Sequence, residues 1–313
     1  MSAERSSLTP AELWGYAIDP EPYRNAGTPM WLDELDLKPA PPYLKMGTRA
    51  LDLDTWLTPD AHRAAEVALR NRLLDEQRAH VFGCASSADA ASAEALAMVI
   101  DWLRTNTDVP PDELVVDPNE HPLAAAARLV QEDLCLMIPR DGSWYFDGGV
   151  VCFPTLWLLD EKLGRSTTGV HVPVAHYEEE LAERVDRFFD RLTVDRPVWR
   201  RNLGVKPYPL LFLAAHKLDQ PIGDTLHLGP DAEPLWLRSE RQTIRLLPES
   251  GAILFTIKVQ IAPAGCLRAR PDRAADLAAM YRAWDTGQQG YKMGGNDLVP
   301  AFVPWLEAVA HGG

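Results

Sequence analysis

No two cysteines in this sequence are spaced C-x-x-C; the four thiols, Cys84, Cys135, Cys152 and Cys266, lie scattered. Zinc ribbons and iron–sulfur clusters gather thiolates at short spacings, so neither has support here. Also missing are G-x-G-x-x-G, a Walker A loop, H-E-x-x-H and G-x-S-x-G, so nothing marks a nicotinamide, nucleoside triphosphate, zincin or serine-hydrolase site. Positive charge is scarce, with 31 Lys and Arg against 45 Asp and Glu and a net charge of −14. Without a basic patch, nucleic acid is not an expected partner. An acidic surface disfavours anionic lipid and phosphate, and tolerates a cationic substrate such as an amine. No apolar run reaches eighteen residues and MSAERSSLTP lacks a signal core. The expectation is a cytoplasmic, non-membrane protein with reduced thiols.

What is present is the composition of a globular chain, 46% hydrophobic and 24% charged. Its 313 residues suit one large domain or two ordinary ones. Ten Trp suit a large apolar pocket or ordinary core packing. Residues 1–57 are Pro-rich and aperiodic and read as an extended arm, packing through Tyr43, Leu44, Leu51 and Trp56. Residues 58–130 read as all-helical. Thr58-Pro59-Asp60 starts a helix to Arg78 with Ala65, Val67, Leu69 and Leu73 near one face, and others run from Ala88 and after His121-Pro122.

From Asp133 the pattern changes. Asp133–Ile138 and Trp144–Phe153 read as strands joined by a hairpin turn at Arg140–Ser143. Helices follow at Leu156–Lys162 and Tyr177–Leu192, then strands at Val198–Val205, Leu235–Leu247 and Ala252–Ile261, the last two turning at Pro248–Gly251. A helix from Ala274 to Trp284 opens a helical extension, residues 266–313. Two paired strands, a helical crossing and three more strands resemble a PAS domain. The expected fold is α+β: a PAS-like five-stranded antiparallel sheet with helices on one face, residues 131–265, between helical extensions.

Four stretches carry a more specific resemblance: HPLAAAARLVQEDLCLM (121–137), VCFPTLWLLDEKLGRSTTGVHVPV (151–174), VDRFFDRL (185–192) and LRSERQTIRLLPESGAILFTIK (237–258). In this order they resemble the haem-dependent oxidative N-demethylase α-subunit family. The resemblance spans about residues 40 to 295. It implies haem b on a PAS-like fold, oxidation of a small amine such as dimethylamine with O2, and electrons from separate flavin and iron–sulfur reductase subunits. Two departures fall where substrate would sit: Ala175-His176-Tyr177 replaces Pro-Gly-Tyr, and Leu203 replaces the Trp of Arg-x-Asn-Trp.

Within that resemblance His171 matches the Val-His-x-Pro-Val motif and is the expected axial ligand of the iron, with His176 as the alternative. Lys162, Arg165 and Arg184 flank it as cations for the propionates, or as plain surface charges. The strand 235–247 would form the distal wall. Alternation puts Arg241 and Thr243 on one side and Glu240 and Gln242 on the other. Arg241 is expected to donate to bound dioxygen or a propionate, Glu240 to hold a substrate ammonium, and Asn202 to donate nearby. The same strand residues also suit a solvated face with cross-strand ion pairs. Ile253, Phe255, Ile257 and Val259 share one face of the next strand, as a pocket floor would. Competing readings are a haem sensor or carrier without turnover, a subunit that has lost its haem, and a non-haem iron site using His171, His176 and Glu178.

Overall fold

Two eleven-residue strands, Trp236–Leu246 and Ile253–Pro263, form the spine of the protein. The computed structural model describes residues 10–37, 47–170, 182–214, 228–284 and 299–312. In chain order the strands are β1 (Arg49–Ala50), β2 (Phe82–Cys84), β3 (Asp133–Arg140), β4 (Ser143–Val150), β5 (Val198–Lys206), β6 (Trp236–Leu246) and β7 (Ile253–Pro263). They form one antiparallel sheet in the order β1-β5-β6-β7-β3-β4-β2. The five strands expected from the sequence are its contiguous centre. The expected count of five is corrected to seven, because β1 and β2 cap the two edges. With two and three residues, neither is long enough to show an alternating pattern. The β3–β4 turn has positive φ at both central residues, Asp141 (51°) and Gly142 (74°). That is the twist a two-residue hairpin needs.

The sheet has a helical face and a loop face. Leu134, Leu136 and Leu254 face the helical side, under α1 (Arg63–Glu76), α2 (Asp89–Asn106) and α3 (Pro122–Ala127). Leu203, Val205, Leu237 and Ala262 meet α6 and α7 on that side; in chain order α4 is Thr167–Val170, α5 Ala182–Asp190, α6 Pro271–Ala283 and α7 Val299–Ala310. On the loop face Cys135, Met137, Ile244 and Ile253 pack with Phe189 and Leu192 of the α5 segment. Each fully buried side chain of this kind contributes roughly 1.5–3 kcal/mol.

Three further readings are corrected. The helix expected from Thr58 begins at Arg63. Its would-be first turn is engaged elsewhere: the Thr58 and Asp60 amides donate to Glu132 and Gln131, and the Asp60 carboxylate pairs with Lys258 at 2.8 Å. The buried face of α1 also differs, since Glu66 and Arg70 lie inside with Leu69, Leu73 and Leu74, while Ala65 is exposed. The helix expected over Leu156–Lys162 is a single 3₁₀ turn, Leu159–Glu161. Leu156 has φ of 62° and its amide donates to Leu213 O at 2.7 Å, so the chain there bridges to another loop. The arm contains short helical turns, Pro10–Trp14, Glu21–Arg24 and Met30–Glu34, where an extended chain was expected. Leu51 and Trp56 are buried as expected, while Tyr43 and Leu44 lie outside the described residues.

Charged groups are buried against α1 in matched sets. Arg70 Nη1 meets Asp133 Oδ1 at 2.7 Å with both side chains inaccessible to solvent. Beside them Glu66 accepts from Tyr23 Oη at 2.8 Å and from Gln131 Nε2 at 2.7 Å. Buried charges are tolerated only when paired and hydrogen-bonded in this way.

Candidate functional site

Strand alternation sends every second residue of β6, Arg238, Glu240, Gln242 and Ile244, to the loop face. Register then builds rows across the sheet. Asn202, Glu240 and Val259 form one row, Arg200, Gln242 and Ile257 the next, and Val198, Ile244 and Phe255 a third. Val198, Arg200, Asn202, Gln242, Phe255 and Ile257 are only half-buried, although β6 and β7 lie in the middle of the sheet. A patch of mixed apolar and polar groups is thus left accessible at the centre of this face by the described residues.

Glu240 is held on three sides. Its carboxylate accepts from Thr155 Oγ1, Asn202 Nδ2 and Gln242 Nε2, each at 2.9 Å. Asn202 is fixed in return, its Oδ1 accepting the Glu240 amide at 3.1 Å. Three donors favour the ionised carboxylate. Behind this group Arg238 is wholly buried. It donates to Thr155 Oγ1 (2.8 Å) and to the carbonyls of Phe153 (2.9 Å), Pro154 (3.0 Å), Leu210 (2.7 Å) and Leu211 (3.0 Å). Burial pulls its guanidinium down to about 10, against the attraction of Glu240 and Asp133. Arg238 therefore ties two loops to the sheet and aims Thr155 at Glu240.

One wall of the patch is Trp157 with Lys162, whose Nζ lies 4.0 Å from the ring centroid. Burial lowers the Lys162 ammonium, an effect opposed chiefly by the negative charge of Glu240. The other wall is apolar: Phe188, Phe189, Leu192, Val185 and Val170 belong to the cluster that includes Ile244. The segment leading to Val170 is stitched to β4, with the Phe146 amide donating to Arg165 O at 2.9 Å and Thr167 Oγ1 to Trp144 O at 3.1 Å.

The fold therefore brings Glu240, Asn202 and Lys162 together, and separates Arg241 and Thr243 from them. Arg241 points to the helical face, where Nη1 donates to Trp56 O at 2.9 Å and Nη2 to Thr55 O at 2.7 Å, with Trp199 stacked 5.1 Å away. Thr243 is buried on the same side, 2.6 Å from Thr256 Oγ1. Arg241, expected to donate to bound dioxygen or a propionate, has the sheet between it and the patch, and both its terminal nitrogens serve backbone carbonyls. Arg165 is exposed. His171, His176 and Glu178 lie outside the described residues, as does the side chain of Arg184.

Arg238, Gln242 and Thr155 had no role in the sequence reading. The first two were within reach of it, since they stand two residues either side of Glu240 and must share its face. Thr155 had no such signal, because an irregular loop brings it in. Residues 47–297, most of the chain, match the family described as haem-dependent oxidative N-demethylase, alpha subunit-like, and the protein belongs to that family.

Proposed function

We propose that the chain is the oxygen-activating subunit of an amine-oxidising system, binding haem b against the loop face and the substrate ammonium at Glu240. The residues present suit a flat, apolar, dianionic group. Phe255, Ile257 and Val198 offer an apolar floor, Trp157 and Phe188 offer walls, and Lys162 sits at one side with Arg165 beyond it. His171, one residue past the anchored helix α4, would hold the haem iron, and Arg184 would be a further cation for the propionates. When bound, haem supplies the means of activating dioxygen.

The chain's own part is to hold and orient the amine. Glu240 presents a negative acceptor where an ammonium can dock, and Asn202 and Gln242 fix its direction. The observation that carries this reading is a three-donor carboxylate standing beside an accessible apolar strip in mid-sheet. Glu240→Gln keeps the shape and removes the charge. It should raise the KM for dimethylamine at least tenfold and abolish any amine-induced shift of the Soret band, with the band itself retained. An unchanged KM and spectral response would remove Glu240 from substrate binding. His171→Ala should lose the Soret band without unfolding the protein. Loss of that band in His176→Ala instead would move the ligand.

A further inference from the structure

On the helical face, across the sheet from Glu240, three side chains from separate elements converge. Cys84 ends the edge strand β2, Asp89 is the first residue of α2, and His121 immediately precedes α3. A thiol sulfur, a carboxylate oxygen and an imidazole nitrogen there all lie within 4.8 Å of one another. No other such group occurs among the described residues. We propose that Cys84, Asp89 and His121 form a binding site for one thiophilic divalent cation of the zinc class.

The geometry is close to what such an ion needs. Tetrahedral zinc, with bonds of about 2.0–2.3 Å, sets its ligand atoms roughly 3.3–3.6 Å apart. His121 Nε2 and Asp89 Oδ1 are already 3.7 Å apart. The scaffold is firm. Cys84 is paired opposite Gly148 in the sheet, and a Cβ at Gly148 would come within 3.2 Å of the Cys84 sulfur. Only glycine there leaves the thiol its present space. The His121 ring packs against Phe82, centroids 5.0 Å apart, and its amide is held by Glu120 at 2.8 Å. Two ligands are half-buried and Asp89 is exposed, so the fourth position faces water.

The donor chemistry selects the ion. A thiolate and a carboxylate supply two negative charges to match a dication, and the imidazole is neutral. One sulfur, one nitrogen and one oxygen suit zinc and reject calcium and magnesium, which need oxygen ligands. Binding releases the Cys84 proton. It also breaks one hydrogen bond. His121 Nδ1 now accepts the Leu123 amide at 3.2 Å, so the neutral ring carries its proton on Nε2. With metal on Nε2 that proton moves to Nδ1 and the Leu123 amide is released. The ion would then link the edge strand to two helices.

The test uses the full-length, haem-loaded protein and zinc itself. Competition against a chromogenic chelator should show one zinc per chain with release of one proton. Cobalt should give a thiolate-to-cobalt charge-transfer band in the difference spectrum. Cys84→Ser should abolish that band and weaken zinc at least tenfold. Asp89→Asn, a change at an exposed position, should weaken it similarly without affecting folding. Cys266→Ser, at a half-buried thiol elsewhere, should bind zinc like the parent. Zinc should raise the Tm of the parent and leave that of Cys84→Ser unmoved. Substoichiometric binding in the parent, or binding that persists in both Cys84→Ser and Asp89→Asn, overturns the proposal.

Discussion

Arg238 and Arg241 lie three residues apart on one strand, and alternation gives them opposite surroundings. Arg238 braces the loops behind Glu240, whereas Arg241 holds the carbonyls of Thr55 and Trp56 on the far side. Removing Arg241 strips two charge-assisted hydrogen bonds, one from the buried Trp56 carbonyl and one from the part-buried Thr55 carbonyl, so Arg241→Ala should cost about 2–3 kcal/mol in a denaturant titration. Haem retention and the amine KM should stay within twofold of the parent. A tenfold change in KM at unchanged stability would put Arg241 back in the site. A second residue-scale outcome concerns acidity. Burial, reinforced by the nearby Asp60 charge, pushes the Glu66 carboxyl up to about 7 from an ordinary 4.5. Between those values the folded state keeps a proton that the unfolded chain has released. Stability therefore falls as pH rises from about 4.5 to 7, by at most about 3 kcal/mol. Asp60, held low despite its burial by Lys258, contributes stability that is lost only below about pH 4, outside this window. Glu66→Gln should flatten the Tm profile between pH 5 and 7.5. A profile that keeps its slope would show that another group titrates there.

At the scale of elements, what a short-range pattern encodes could be read from the sequence and what tertiary pairing decides could not. The two-residue period of β6 and β7 gave their faces, and Asp141-Gly142 gave the hairpin, because both signals are local. Of the candidate site, the placement was legible to the same extent: Glu240 and Asn202 stand on the strands that were expected, in directly paired register. Arg241 falls on the opposite face from Glu240, since alternation says which residues share a face and not which face a ligand takes. The start of α1 was misplaced because Asp60 is recruited by Lys258, a partner about two hundred residues away in sequence. Helix α3 makes a separate point. Its sequence PLAAAA puts Ala124 to Ala127 at 2% exposure or less, with no side chain longer than a methyl after Leu123. Only such a run lets α3 sit directly against α2 and the sheet. Ala126→Leu adds three carbons to a site with no space for them, and should destabilise the protein by about 1–3 kcal/mol. Ala126→Gly should cost less, about 1 kcal/mol, through helix propensity. Equal losses in thermal melts would mean that packing is not what limits residue 126.

For the whole molecule, the family description is that of an α-subunit, and the sequence carries no nucleotide-binding or cluster motif of its own. NADPH with this chain alone should give no amine turnover above background, and adding a flavin and iron–sulfur reductase should start it. Sustained turnover without the reductase would contradict the proposed division of labour. Inside the chain, one short segment links the buried Arg70–Asp133 pair to Arg238 and Glu240. The buried Asp133 carboxylate accepts the amides of Cys152 (2.8 Å) and Phe153 (3.2 Å) as well as Arg70. The Phe153 and Pro154 carbonyls then take Arg238, and Thr155 reaches Glu240. Residues 152–155 are thus pinned at one end by Asp133 and at the other by Arg238. Asp133→Asn leaves Arg70 buried without its counter-charge and weakens the hold on both amides, which should cost about 3–5 kcal/mol. Arg70→Met combined with Asp133→Asn should recover part of that loss, since no unpaired charge remains. If the segment transmits the strain, either variant, assayed well below its Tm, should raise the amine KM several-fold with an unaltered Soret band. A large drop in stability with an unchanged KM would show that Arg238 alone positions Thr155, and that the Arg70–Asp133 pair only supports the fold.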